Sequence, residues 1–171
     1  MKKKSIDSKL KPQASSLKPT IHLHDDRWKK ALRPYCKTVE GVVSVIPAKA
    51  GAPLRMDARL RGHDMEIAIV LANDEEIREL NKQFRGKNKP TNVLSFPNEE
   101  EPLGDVILSY DTIEREAEEQ GKTFRDHAAH LIVHGVLHLL GFDHENARDA
   151  KKMEAIEVKL LSELGISNPY L

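Results

Sequence analysis

The stretch His130-Leu-Ile-Val-His-Gly-Val-Leu-His-Leu-Leu-Gly-Phe-Asp-His144 restricts the fold more than any other part of the chain. His134 and His138 are four residues apart, and at ~3.6 residues per turn such a pair stands one turn apart on one helix face. They can share one ion. Leu131, Ile132, Val133, Val136, Leu137, Leu139 and Leu140 surround them, so the helix is apolar nearly all round and is expected to be buried with its histidines. Gly141 is the residue type that ends a helix in a left-handed turn, after which the chain can fold back and bring His144 toward the pair. Three neutral imidazoles with an open fourth position describe a catalytic zinc site, whereas structural zinc is usually closed by four protein ligands, mostly thiolates. Cys36 is the only cysteine. The expectation is therefore one Zn2+ on His134, His138 and His144, set against the simpler reading of core or capping histidines. His127 and His130 extend the same stripe, but one ion cannot be reached from about three turns of helix. His130 is expected beside the site or in the core, and His127 partly exposed near the helix start.

The stretch resembles the H-G-x-L-H-L-x-G-[YF]-D-H signature of the YbeY family of bacterial endoribonucleases. Pro90-Thr-Asn-Val-Leu-Ser-Phe-Pro97 and Leu103-Gly-Asp-Val-Ile-Leu-Ser109 are similar to two strand motifs of that family, and Asn81-Lys-Gln-Phe-Arg-Gly-Lys87 to its Asn-x-x-[YF]-Arg-x-Lys segment. The resemblance covers most of Glu66 to Leu164. It implies a zinc-dependent, single-strand-specific endoribonuclease acting in late rRNA maturation at the 16S rRNA 3′ end and in ribosome quality control. RNA, the small ribosomal subunit and assembly factors are the implied partners. It also places Arg85 on the arginine the family uses in its active site. By residue type Arg85 suits that role, because a guanidinium stays charged and binds phosphate oxygens through a planar fork. Lys82, Lys87 and Lys89 could track the RNA backbone, or they belong to an ordinary solvated basic loop.

Three other functions compete with this reading. A zinc protease would carry a general-base Glu directly after the first histidine, and Gly135 occupies that position. Some other metal-dependent hydrolase, or a ribosome assembly factor with a structural zinc and no catalysis, fits the same histidines. Asp143 is either an orienting partner for a ligand histidine or a turn residue.

Charge does not decide between these functions. The 27 Lys and Arg balance the 27 Asp and Glu, so any RNA contact must use a local patch. One cysteine makes no internal disulfide and suits a cytoplasmic protein, and no stretch approaches the ~20 apolar residues of a membrane span.

Residues 1–20, rich in Lys, Ser and Pro, are expected to form a disordered basic tail ahead of one domain over residues 21–171. Ile21–His24 alternates as a short strand, and Asp25 or Asp26 caps a helix starting near Arg27. Residues from about 45 to 64 are foreign to the family pattern and read as a loop insertion, which costs little closure entropy at a surface. Glu66–Leu71, Asn92–Phe96 and Gly104–Ser109 are predicted strands. Helices are expected after Asp74 and Asp111, over Phe124–Leu140 and over Asn146–Leu164. About four strands and five helices without strict alternation give an α+β fold, with a mixed sheet and the metal site on a buried helix.

Overall fold

The computed structural model describes residues 17–33, 35–44, 46, 65–98 and 103–171. The apolar runs form four strands, β1 (Leu17–Leu23), β2 (Met65–Ala72), β3 (Val93–Pro97) and β4 (Gly104–Ser109). Six helices join them: α1 (Arg27–Ala31), α2 (Tyr35–Ser44), α3 (Asp74–Arg85), α4 (Tyr110–Glu119), α5 (Phe124–Leu139) and α6 (Ala147–Glu163). The sheet order is β1-β2-β4-β3, with β1–β2 and β2–β4 parallel and β3–β4 antiparallel. This is the mixed α+β sheet expected.

Alternation along β2 builds two layers. Met65, Ile67, Ile69 and Leu71 enter the main core with residues of α2, α5 and α6, while Val70 and Ala72 join Ile77 of α3, Leu94 and Ile107 in a smaller cluster. Helix α5 belongs to the larger layer, packed against β3 and β4 and touched by α2, α4 and α6. With neighbours on so many sides it must be apolar nearly all round, which is the pattern its sequence carries.

Three boundaries differ from the sequence pattern. Strand β1 begins at Leu17, so residues 17–20, which composition assigns to the tail, pair instead with Met65–Ala68 and bury Leu17. Residues 1–16 lie outside the described part of the chain. Helices α1 and α2 stand on either side of Pro34, a residue that cannot continue a helix interior. Ile46 is fully buried in the main core, so the segment expected to be inserted at 45–64 has a core residue at its second position. Residues 47–64 lie outside the described residues.

The helix starts are also shared in a way that the sequence did not reveal. Asn73, not Asp74, caps α3 by accepting from Glu76 N at 3.0 Å. Asp74 instead caps α4, accepting from Thr112 N at 3.1 Å, while Asp111 accepts from Asp74 N at 3.0 Å. Each aspartate thus satisfies an orphan N–H of the other's helix and offsets its dipole.

Candidate metal centre

The turn after α5 assembles the site. Gly141 adopts φ 87, a left-handed conformation that glycine takes without Cβ strain, and Phe142 N closes back on Leu137 O at 3.0 Å. The chain then returns along the helix. His144 stacks beside the pair, with ring centroids 5.4 Å from His134 and 5.0 Å from His138. One ligand atom from each of His134, His138 and His144 can be chosen so that all three lie within 4.8 Å of one another.

The tautomers decide what this cluster can hold. His134 Nδ1 lies 2.7 Å from Glu157 Oε1, and His138 Nδ1 lies 3.1 Å from the backbone oxygen of Phe142. A carbonyl and a carboxylate only accept, so each Nδ1 carries the proton and each neutral ring keeps an Nε2 lone pair. Those two Nε2 atoms face each other at 3.1 Å. Two lone pairs without a hydrogen between them repel, and a cation between them removes the repulsion. Two nitrogens on one tetrahedral zinc would stand about 3.3 Å apart, given ~2.0–2.1 Å per bond. The pair is therefore already close to the spacing a metal requires. Burial, with His134 and His144 nearby, lowers the pKa of His138 and favours the neutral ring that can ligate.

Glu157 is the functional residue that sequence pattern missed. It is fully buried on α6, where it accepts from His134 Nδ1, from His130 Nε2 at 3.3 Å and from the Tyr170 hydroxyl. Burial works to raise its pKa, but these hydrogen bonds outweigh it and hold the carboxyl down at about 2, so the group is an anion. A carboxylate behind a ligating imidazole fixes the ring and raises its basicity. The signal was present in the sequence: Glu157 sits in register with Met153, Leu160 and Leu161 on the apolar face of α6, where an isolated carboxylate needs a partner.

The remaining candidates separate. His130 joins the Glu157 network, beside the cluster but outside it. His127, expected to be partly exposed, is instead 4% exposed and bonded to Glu116 at 2.8 Å, because α4 packs over this end of α5. Asp143 accepts from His144 N at 2.7 Å, and so orders the turn rather than a ligand ring. Arg85 is the last residue of α3 and lies exposed outside the histidine cluster. A Cβ at Gly135 would come within 2.6 Å of Val106 Cγ1, and Ser95 Oγ donates to the Gly135 oxygen at 3.1 Å. Helix and sheet touch there, so the general-base Glu of a zinc protease has no room at this position.

Comparison with known proteins follows the same residues. A family model described as Endoribonuclease YbeY matches residues 26–165. An endoribonuclease YbeY of Rhizobium etli is 49% identical over 162 residues, covering 88% of this chain and 91% of its own. One from Methylocella silvestris is 44% identical over 161 residues, covering 90% and 87%. A Thermotoga maritima protein solved in solution superposes with a TM-score of 0.52 at 28% identity, over 85% of this chain and 92% of that one.

Proposed function

Because this chain belongs to the YbeY endoribonuclease family, we propose that it is a zinc-dependent endoribonuclease that cleaves single-stranded RNA. The observation that carries the metal dependence is the opposed Nε2 atoms of His134 and His138, each ring fixed from behind by an acceptor. His134, His138 and His144 would hold the ion. When bound, zinc supplies an acidified water and a Lewis acid for a phosphoryl oxygen. The protein residues do the rest: Glu157 orients His134, the Phe142 carbonyl orients His138, and Arg85 neutralises charge that gathers on the phosphate. The arginine assignment rests on its place in the Asn81–Lys87 motif and on the fork geometry of guanidinium. The physiological substrate is rRNA, at the 3′ end of 16S rRNA late in maturation, and the protein works in the cytoplasm with the small ribosomal subunit and its assembly factors. Residues 17–171, β1 included, make up the catalytic domain, behind the basic residues 1–16. Among the described residues no helix is long and apolar enough to cross a membrane.

The test is purified protein on a defined single-stranded RNA, with and without chelator and with metal restored. Prompt loss of cleavage with the fold retained, and recovery on adding zinc, supports the catalytic role. A sharp fall in melting temperature on chelation, with no cleavage before it, would instead favour an assembly factor built around a structural zinc.

A further inference from the structure

The C-terminal end of α3 carries, around Arg85, a surface whose other residues have no role in the metal centre. Residues 82–89, Lys-Gln-Phe-Arg-Gly-Lys-Asn-Lys, are all exposed. Four of the eight are cations, none is an acid, and neither Lys82, Arg85, Lys87 nor Lys89 forms an ion pair with a described residue. Unpaired surface cations are ordinary, and what sets this run apart is four of them in eight residues with no acid among them. Here the positive charge is left for something else.

In the middle of this run stands Phe84, with 59% of its surface open to water. Its ring leans on Phe96 of β3 at 5.0 Å between centroids, tilted by 58°, so it is braced by one neighbour while most of its surface stays open. The backbone beneath it is tied back to the helix. Asn81, buried at 2%, donates from Nδ2 to Lys89 O at 2.7 Å, and Lys87 N donates to Asn81 O at 3.2 Å. The backbone that carries the cations and the aromatic ring is thus set in place before any partner arrives, which lowers the ordering cost of binding.

Strand β3 ties this surface to the metal centre. Consecutive residues point to opposite faces of a strand. Ser95 touches Gly135 on α5, one residue beyond His134, while Phe96 touches Phe84 on α3. The two contacts of this strand thus lie on opposite faces of the sheet, one toward α5 and one toward α3. β3 is one of the two edge strands of the sheet.

We propose that Phe84, backed by Phe96, is a base-stacking platform that positions single-stranded RNA for the metal centre, with Lys82, Lys87 and Lys89 holding the flanking phosphates. This rests on the endoribonuclease reading above and adds a positioning residue to it. An exposed aromatic among unpaired cations is the combination by which single strands are bound without sequence preference: every base has a π-face and every nucleotide a charge. Asp105 is opposite Phe96 in the β3–β4 register and therefore shares its face, where a phosphate would be disfavoured. The phosphates accordingly run on the Lys82–Lys89 side of the ring, with the base directed toward the sheet edge.

The experiment replaces Phe84 with Trp and with Leu in the full metal-loaded chain. Trp28, the native indole, is fully buried, so an indole at position 84 supplies the exposed fluorescence. Stopped-flow mixing with a uridine oligomer reads binding before cleavage. The expected result is quenching in Phe84→Trp with affinity near that of the unchanged chain. Phe84→Leu should bind about tenfold more weakly, with metal content and melting temperature unchanged. Its cleavage should show the loss in KM rather than in kcat, because a remote platform binds ground and transition states alike. Equal binding by Phe84→Leu and the unchanged chain, while both cleave RNA, overturns the platform alone. An unchanged chain that neither binds nor cleaves any RNA overturns the nuclease reading and the platform with it.

Discussion

The proposed metal centre and the Lys82–Lys89 run place their side chains by opposite means. At the metal centre the polar groups behind the ligands are removed from water and saturated: Glu157 is fully buried and accepts from His130, His134 and Tyr170, and His138 is held by the Phe142 carbonyl. In the loop the side chains are exposed and unpaired, and only the backbone is fixed, through Asn81. The difference follows from the ligands each suits. A small dication needs neutral imidazoles held at a fixed spacing, which requires burial and acceptors behind them. A long polyanion needs charges that are already free, since a cation engaged with a carboxylate must break that pair before it can release counterions from RNA.

Removing a ligand should have the largest effect. His138→Ala deletes one of three donors, and both metal content and cleavage are expected to fall to background while the far loop keeps its affinity for RNA. Metal analysis beside an RNA-binding titration checks this. Arg85→Ala comes next, with metal content and melting temperature unchanged and cleavage slower by about 10²-fold to 10³-fold, the usual loss of one transition-state donor. Arg85→Lys should recover part of that loss, since the charge stays and the fork goes. A wild-type rate in Arg85→Ala at equal metal loading would move the role to Lys87 or Lys89.

Glu157→Gln sits between the two regions in effect. It keeps the shape but replaces the anion with an amide, so metal affinity should weaken by about 10-fold to 100-fold, with RNA binding at the loop untouched. Competition with a chromogenic chelator measures it. A Glu157→Gln chain that holds metal as tightly as the native one would show that the carboxylate serves packing only. The smallest effect belongs to salt. Each loop lysine replaced by Ala should lower the slope of log affinity against log salt by about 0.7, the single-strand value per phosphate, and leave metal binding unchanged.

The two regions also differ in how far the sequence exposes them. The convergence of His134, His138 and His144 is local in origin, a helical repeat plus one glycine turn, so spacing alone carries it. The same is true of the strands Met65–Ala72 and Gly104–Ser109, whose apolar runs are bounded by turn residues. What spacing cannot carry is a partner from another element. Glu157 lies 23 residues from His134, and its role appears only once α6 packs on α5. The Asp74–Asp111 exchange crosses 37 residues, which is why each aspartate reads in sequence as the cap of its own helix. His127 reads as partly exposed because Glu116, its hydrogen-bond partner, belongs to α4. Composition misled at β1 for a related reason: Leu17–Thr20 is poor in strand formers by itself and is extended because Met65–Ala68 lies alongside.

The central claim is that three imidazoles bring one ion to a reaction on RNA, and one measurement reaches it directly. Cleavage of a single-stranded RNA is followed while zinc is titrated into chelator-stripped protein, with the folded fraction read in the same samples. Cleavage should rise with a stoichiometry of one ion per chain, from a protein that is folded before the first addition, and His138→Ala should stay inactive at every zinc concentration. Cleavage that is undiminished in stripped protein, or that survives in metal-free His138→Ala, would contradict the account.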